Sequence, residues 1–353
     1  MSKLGCRLDP CRAGRQATLL ETNLRRLVIG QDDAITQIVN LFQTYFAGMT
    51  SPGRPLGCAL FLGPTGSGKT RLVEATAESL FGNSGAILKI DCAEYQHSHE
   101  IAKLVGAPPG YLGHRETHAF LSQSALDQYH TQTLKISMVL FDEIEKASDS
   151  LWNLLLGVLD KATLVLGDNR RTDFSNSFIF MTGNLGATEM EDLVRPKWGF
   201  RPGLPAVGDT QFKEKLSRIG IEAARRKFTP EFVNRLDSIV VFNPLGEREL
   251  RKIIDIELAR VQARISRANA APFTFRLTEA AIEQLLIEGT DPRYGARHLR
   301  RAIERMLVQP ISNLLASEQV RGGDYLTVDS EPHTKQMVFW LDNEAYRSSR
   351  ARG

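Results

Sequence analysis

Eight consecutive residues, Gly63, Pro64, Thr65, Gly66, Ser67, Gly68, Lys69 and Thr70, join three glycines to a lysine and a hydroxyl. They follow the apolar run Cys58-Ala59-Leu60-Phe61-Leu62 and precede a helix-like segment at 71–81. Strand, glycine-rich loop, helix is the context that a phosphate-binding loop requires. Glycines let backbone N–H groups turn inward around phosphates, and the helix start adds its positive end. Lys69 is suited to the β- and γ-phosphates and the Thr70 hydroxyl to Mg²⁺. A purely structural glycine turn is the alternative, and an eight-residue match in this setting argues against it. The implied ligand is a nucleoside triphosphate.

A second signal is Ser137-Met138-Val139-Leu140-Phe141-Asp142-Glu143, an apolar strand ending in two adjacent carboxylates. Neighbouring side chains on a strand point to opposite faces, so the two acids take different tasks. Asp142 can hold Mg²⁺, partly through water, and Glu143 can polarise the water that attacks the γ-phosphate. A solvated strand end would explain the pair alone, but not its place after a phosphate loop.

These residues need a scaffold that brings several strand ends together. Strand candidates at 58–62, 86–91, 136–141, 177–182 and 238–242, separated by helical segments, describe a doubly wound α/β domain with a parallel sheet. Residues 18–47 carry a helical pattern around Val28-Ile29-Gly30-Gln31. Residues 48–57 form a turn-rich linker, and 151–159 an apolar helix. After Asn243-Pro244 the pattern changes. Leu250, Ile253, Ile254, Leu258, Val261 and Ile265 share one helical face. Further helices use Ile282, Leu285 and Leu286, then Leu299 to Leu315 with a kink at Pro310. Short strands at 325–328 and 336–341 complete a smaller, mainly helical α+β C-terminal domain. The expected organisation is a flexible segment 1–17, a large α/β domain 18–243, a small domain 244–345 and a basic tail 346–353.

The chain has 353 residues, enough for two or three domains, and a net charge of +3, too slight to argue for a nucleic-acid surface. It has four cysteines. Cys58 and Cys92 lie in apolar runs and read as buried thiols, Cys6 and Cys11 as free thiols rather than a disulfide or zinc site. No apolar signal core or membrane-length run is present, which favours a cytoplasmic setting. His97, His99, His114 and His118 read as structural rather than as a metal cluster.

The chain resembles the AAA+ ATPases, specifically the second ATPase module of Clp-type unfoldases such as ClpB, ClpA and ClpC. The likeness rests on VIGQDDAI at 28–35, GPTGSGKT at 63–70, LVGAPPGYLG at 104–113, LFDEIEKA at 140–147, MTGNLGA at 181–187, FTPEFVNRLD at 228–237 and DPRYGARHLRRAI at 291–303. The resemblance implies ATP and Mg²⁺ as cofactors, with Val28 and Ile29 beside the adenine. It implies that Asn184 orients the attacking water as sensor 1. Arg235 would be the arginine finger acting on the neighbouring subunit's nucleotide, which requires a ring, a homohexamer in this family. Arg297 would be sensor 2. Gly110, Tyr111, Leu112 and Gly113 would form the pore loop that grips polypeptide. The continuation HRETHAFL departs from the family pattern, as does 161–173, a second segment that could line the pore.

Trp198-Gly199-Phe200, inside a long connection, resembles the loop with which ClpA, ClpC and ClpX dock onto the ClpP peptidase, with Trp198 replacing an aliphatic residue. Packing on the protein's own surface is the alternative. The resemblance implies a stand-alone single-ring unfoldase or remodelling chaperone, its substrates recruited by the N-terminus, the pore or an adaptor. The ATPase half of a two-part protease is the alternative. A nucleic-acid-linked loader or regulator fits the charge and the Tyr111 block less well.

Overall fold

A computed structural model describes residue 9 and residues 12–106, 119–194, 210–268, 272–290, 295–331 and 333–341. The expected pore loop 110–113, the Trp198-Gly199-Phe200 segment, Cys6, Cys11, His114, His118 and the tail 346–353 lie outside these residues. The described chain forms two compact units.

The first unit comprises 1–63, 69–186 and 214–242. Its sheet contains β1 (Gly57–Leu62), β2 (Leu88–Asp91), β3 (Ser137–Asp142), β6 (Ser177–Gly183) and β7 (Ser238–Val241), in the order β2-β3-β6-β1-β7. Every pairing is parallel. The five strands coincide closely with the segments expected from the sequence. β1 and β6 are buried along their whole length, as a parallel sheet covered on both faces requires.

The period-two alternation divides each central strand between two cores. Cys58, Leu60 and Leu62 of β1 join Val139 and Phe141 of β3 and Ile179 and Met181 of β6 on one face. Ala59 and Phe61, Met138 and Leu140, and Phe178 and Phe180 face the other. Helices α1 (Arg15–Leu27), α2 (Asp32–Phe46) and α3 (Lys69–Phe81) cover the second face. α1 begins inside the segment 1–17 expected to be loose, and its Ala17 is buried. The short helices α4 (Ala102–Val105) and α5 (Gln123–Asp127) and the longer α6 (Asp149–Lys161) cover the first face. α6 buries Leu151, Leu155, Val158 and Leu159, an i, i+4, i+7, i+8 stripe.

The segment 161–173 is not a plain loop. It forms an antiparallel hairpin of β4 (Thr163–Val165) and β5 (Arg171–Asp173). Leu164, Leu166 and Thr172 are buried, and the Thr172 hydroxyl donates to Leu121 O at 2.9 Å. α7 (Ala187–Val194) follows β6, and α8 (Thr210–Lys227) leads to the single-turn α9 (Pro230–Val233). The Thr229 hydroxyl caps α9 by accepting from Phe232 N.

The second unit comprises 64–68, 187–213 and 243–353. It contains α10 (Glu247–Ala268), β8 (Thr274–Leu277), α11 (Glu279–Gly289), α12 (Ala296–Ile303), α13 (Gln309–Ala316), β9 (Tyr325–Ser330) and β10 (Met337–Leu341). Its core joins Leu250, Ile254, Val261, Leu285, Leu299, Leu307 and Val328. The expected pair of strands is a three-stranded sheet in the order β10-β9-β8. The kink expected at Pro310 is taken up one turn earlier, by a π-helical turn at Glu304–Val308 between α12 and α13. Proline lacks an N–H and its ring crowds the preceding turn, so the wider turn accommodates it. Within this unit Ala296 N donates to Gly66 O at 3.3 Å.

Candidate functional site

The parallel sheet gathers the chemistry-bearing residues at the C-terminal ends of β1, β3 and β6, where ligands bind in open α/β sheets. β1 runs into Gly63, whose φ is +140° and whose added Cβ would lie 2.7 Å from Phe242 O. Only glycine fits there. Gly66 (φ +76°) and Gly68 (φ +103°) continue the turn, and a Cβ at Gly68 would meet open space. Pro64, Thr65 and Ser67 complete the loop, and Ser67 is buried.

Lys69 opens α3 and is only 8% exposed. Its Nζ donates to Gly63 O at 2.7 Å and to Asn184 Oδ1 at 2.8 Å. The Thr70 hydroxyl donates to Asp142 Oδ1 at 3.3 Å. Asp142 also accepts a short hydrogen bond from the Thr182 hydroxyl, and its Oδ2 lies 2.9 Å from Lys89 Nζ. Burial alone would push the Asp142 carboxyl up; the Thr182 hydroxyl and the Lys89 ammonium outweigh it and hold it below its ordinary value. The aspartate is therefore ionised at neutral pH.

Glu143 leaves the strand in the left-handed region, with φ 57° and ψ 47°. That conformation costs a non-glycine residue roughly 1–2 kcal/mol. It turns the chain so that the two adjacent carboxylates diverge. Glu143 N donates to the Thr182 hydroxyl at 3.1 Å, and Glu143 Oε2 pairs with Lys146 Nζ at 2.5 Å. Asn184 N donates to Glu145 Oε1 at 2.9 Å, which fixes the turn after β6.

The predicted residues thus form two adjacent hydrogen-bonded groups, Gly63–Lys69–Asn184 and Thr70–Asp142, with Glu143 attached to the second through Thr182. Sequence reasoning missed Thr182, Glu145, Lys146 and Lys89. Glu145 and Lys146 lie inside the block at 140–147, and Thr182 ends the apolar run before Asn184, but nothing local marks their partners.

The remaining site residues stand as follows. Val28 is buried and Ile29 half-buried in the break between α1 and α2, where Gly30 has φ +76°. Arg297 lies on the first turn of α12 and is exposed. Arg235 follows α9. Its Nε lies 2.7 Å from Asp160 Oδ1, its Nη2 donates to Asp160 Oδ2 at 2.8 Å, and its Nη1 lies 2.9 Å from Glu231 Oε1. Glu231 and Asp160 are thus its ion-pair partners, while Asp237 lies 3.9 Å from Arg54 and accepts from Cys58 N at 2.7 Å. His97 and His99 stack ring on ring at 5.7 Å. Cys58 and Cys92 are buried free thiols, and burial pushes both thiol pKa values well up.

The donor set fits a nucleoside triphosphate with Mg²⁺. A hydroxyl and an ionised carboxylate are the hard oxygen ligands that this ion takes. A buried lysine beside a loop in which one glycine cannot carry a side chain suits phosphate. Thr70 and Asp142 would hold the metal, and Lys69 with the loop N–H groups the phosphates. Among the described residues no helix is long and apolar enough to cross a membrane.

Comparisons with known proteins agree with this geometry. Residues 54–239 match the AAA domain (Cdc48 subfamily), and residues 245–328 match the C-terminal D2-small domain of ClpB protein. Chaperone protein ClpB 2 of Thermosynechococcus vestitus is 39% identical over 310 residues, which are 88% of this chain and 32% of that protein. The ATP-dependent Clp protease ATP-binding subunit ClpC of Staphylococcus saprophyticus is 38% identical over 312 residues, 88% of this chain and 36% of that one. A closed-state cryo-EM reconstruction of Hsp104 with ATPyS and FITC casein superposes with a TM-score of 0.76 at 28% identity, covering 94% of this chain and 52% of that chain. The chain spans about a third of the length of the curated relatives.

Proposed function

The chain belongs to the AAA+ ATPases of the Clp type, and from that premise we propose that it hydrolyses ATP to pull or thread polypeptide through the pore of a homohexameric ring. The observation that carries the ATPase reading is the Lys69–Asn184 and Thr70–Asp142–Thr182–Glu143 network at the ends of three adjacent strands. Bound Mg²⁺ would neutralise phosphate charge and orient the phosphates. Lys69 binds the phosphates, Asn184 orients the attacking water, and Glu143 takes its proton once its carboxylate leaves Lys146. Arg235 supplies positive charge to the adjoining subunit's nucleotide. Arg297 reports the nucleotide state to the small domain, and Val28 and Ile29 line the adenine.

The chaperone and protease-subunit relatives support a polypeptide as the substrate, gripped by Gly110, Tyr111, Leu112 and Gly113. The ClpC relatives also favour a second reading, in which Trp198-Gly199-Phe200 docks a ClpP-like peptidase. Unpaired buried thiols suit a cytoplasmic setting.

The test offers ATP and Mg²⁺ together with a folded fluorescent protein bearing an unstructured tail. ATP-dependent loss of fluorescence is expected. ATP turnover that never unfolds such a protein, with or without candidate adaptors, would overturn the unfoldase reading and leave the ATPase reading intact. Substrates trapped on the Glu143→Gln ring with ATP can then be identified by mass spectrometry.

A further inference from the structure

Arg235 is only 20% exposed along its side chain, although it lies on a turn after a one-turn helix. A long side chain in such a place would ordinarily sample many rotamers. Here its guanidinium plane is fixed. The Asp160 carboxylate lies along the Nε–Nη2 edge, with Oδ1 2.7 Å from Nε and Oδ2 accepting from Nη2 at 2.8 Å. Nη1 donates to Glu231 O at 3.2 Å. The Nη2 contact is a hydrogen bond and the Nε contact a close ion-pair approach, so the carboxylate lies against one edge of the planar guanidinium, which a lysine does not have.

Asp160 is itself held rigidly. It occupies the last turn of α6, whose Leu155, Val158 and Leu159 are buried in the core. Trp152, two turns earlier on the same helix, donates from Nε1 to Ile144 O at 3.0 Å and meets the Phe228 ring edge-on at 5.3 Å. The backbone of Arg235 is also tied to this frame. Arg54 Nη2 donates to Arg235 O at 2.9 Å, and Arg54 Nε donates to Leu159 O at 3.4 Å. One arginine therefore joins the carbonyl of the residue before Asp160 to the carbonyl of Arg235. Asp237 fixes the other side of the turn, exchanging hydrogen bonds with Cys58 at the start of β1.

We propose that Asp160 and Arg54 are positioning residues for Arg235: Asp160 orients its guanidinium plane and Arg54 its backbone, so that the group meets the neighbouring subunit's nucleotide in one geometry. This rests on reading Arg235 as the finger of the proposed ATPase. Asp160 occupies the Nε–Nη2 edge, and the Nη1 end, paired with the exposed Glu231, is the part exchanged for phosphate. A guanidinium loses most of its effect when misplaced by about an ångström, because the charge it stabilises develops on oxygens at fixed positions.

The experiment compares steady-state ATP hydrolysis by the wild type, Arg235→Ala, Asp160→Ala and the Asp160→Ala/Arg235→Ala double variant. Binding of a fluorescent ATP analogue and ring assembly are measured on each. Arg235→Ala is expected to lose kcat by about a hundredfold or more. Asp160→Ala should lose kcat by roughly tenfold to a hundredfold with unchanged KM, analogue binding and ring assembly. In the double variant the losses should not multiply, since Asp160 acts only through Arg235. Asp160→Asn keeps one acceptor and should fall between, and it serves if Asp160→Ala does not fold. Arg54→Met should lower kcat in the same way.

Wild-type kcat in Asp160→Ala beside an impaired Arg235→Ala overturns the proposal and spares the finger reading. Losses that multiply in the double variant overturn it too. A fully active Arg235→Ala overturns the finger reading itself.

Discussion

Lys69 Nζ lies 2.8 Å from Asn184 Oδ1, which ties the first turn of α3 to the residue that follows β6. The sheet makes this contact available, because β1 and β6 are paired in register from Gly57↔Phe178 to Leu62↔Gly183. In the proposed cycle the amide oxygen holds the ammonium until phosphate takes it, and then turns to water. Asn184→Ala should bind ATP but lose roughly a hundredfold in kcat, because the attacking water loses its orientation. Lys69→Ala should instead lose ATP binding. Analogue titration beside steady-state turnover separates the two; equal loss of binding in both would contradict this division of roles.

Glu143, proposed to activate the attacking water, is held by Thr182 and Lys146 rather than by Thr70 or Asp142. Glu143→Gln should keep ATP affinity and reduce turnover by about a hundredfold or more. Turnover near wild type in that variant would remove Glu143 from catalysis.

Gly63 has no room for a side chain. Gly63→Ala places a Cβ 2.7 Å from Phe242 O at a φ of +140°. The expected cost is roughly 1–3 kcal/mol, seen as a Tm lower by several degrees, with ATP binding weakened as the turn opens. An unchanged Tm would mean that the turn relaxes freely.

Tyr111 is expected to act on polypeptide and not on nucleotide. Tyr111→Ala should retain basal ATP hydrolysis while unfolding of the tailed fluorescent protein collapses. Unfolding at the wild-type rate would exclude the central-pore mechanism.

Trp198 and Phe200 distinguish the two readings of their segment. Docking to a peptidase expects Trp198→Ala/Phe200→Ala to keep its Tm and ATP turnover and to lose one protein from pull-downs, since aromatic anchors supply much of an interface's energy. Packing on the protein's own surface expects a Tm lowered by several degrees with every partner retained.

The sheet and the residues gathered at its strand ends were legible because their signals are local. Alternation in 58–62 and 177–182 sets which side chains face each core, and the residues ending those strands must share one edge. β8 was missed because its four residues, Thr274–Leu277, are at best half-buried and carry Arg276, so they read as loop. The β4–β5 hairpin is three residues a side, with Arg171 and Asp173 on the second strand. Asp160 and Arg54 could not be found from spacing at all. They meet Arg235 across 75 and 181 residues of chain, and only the fold brings them there.

Thr182 has one proton and one position, yet it serves two masters. Its hydroxyl donates to Asp142 and accepts from Glu143 N. The two adjacent acids are therefore linked through one hydroxyl on the neighbouring strand. A single hydroxyl that both donates and accepts is what such a link requires, so loss of the Thr182 hydroxyl would release both residues at once.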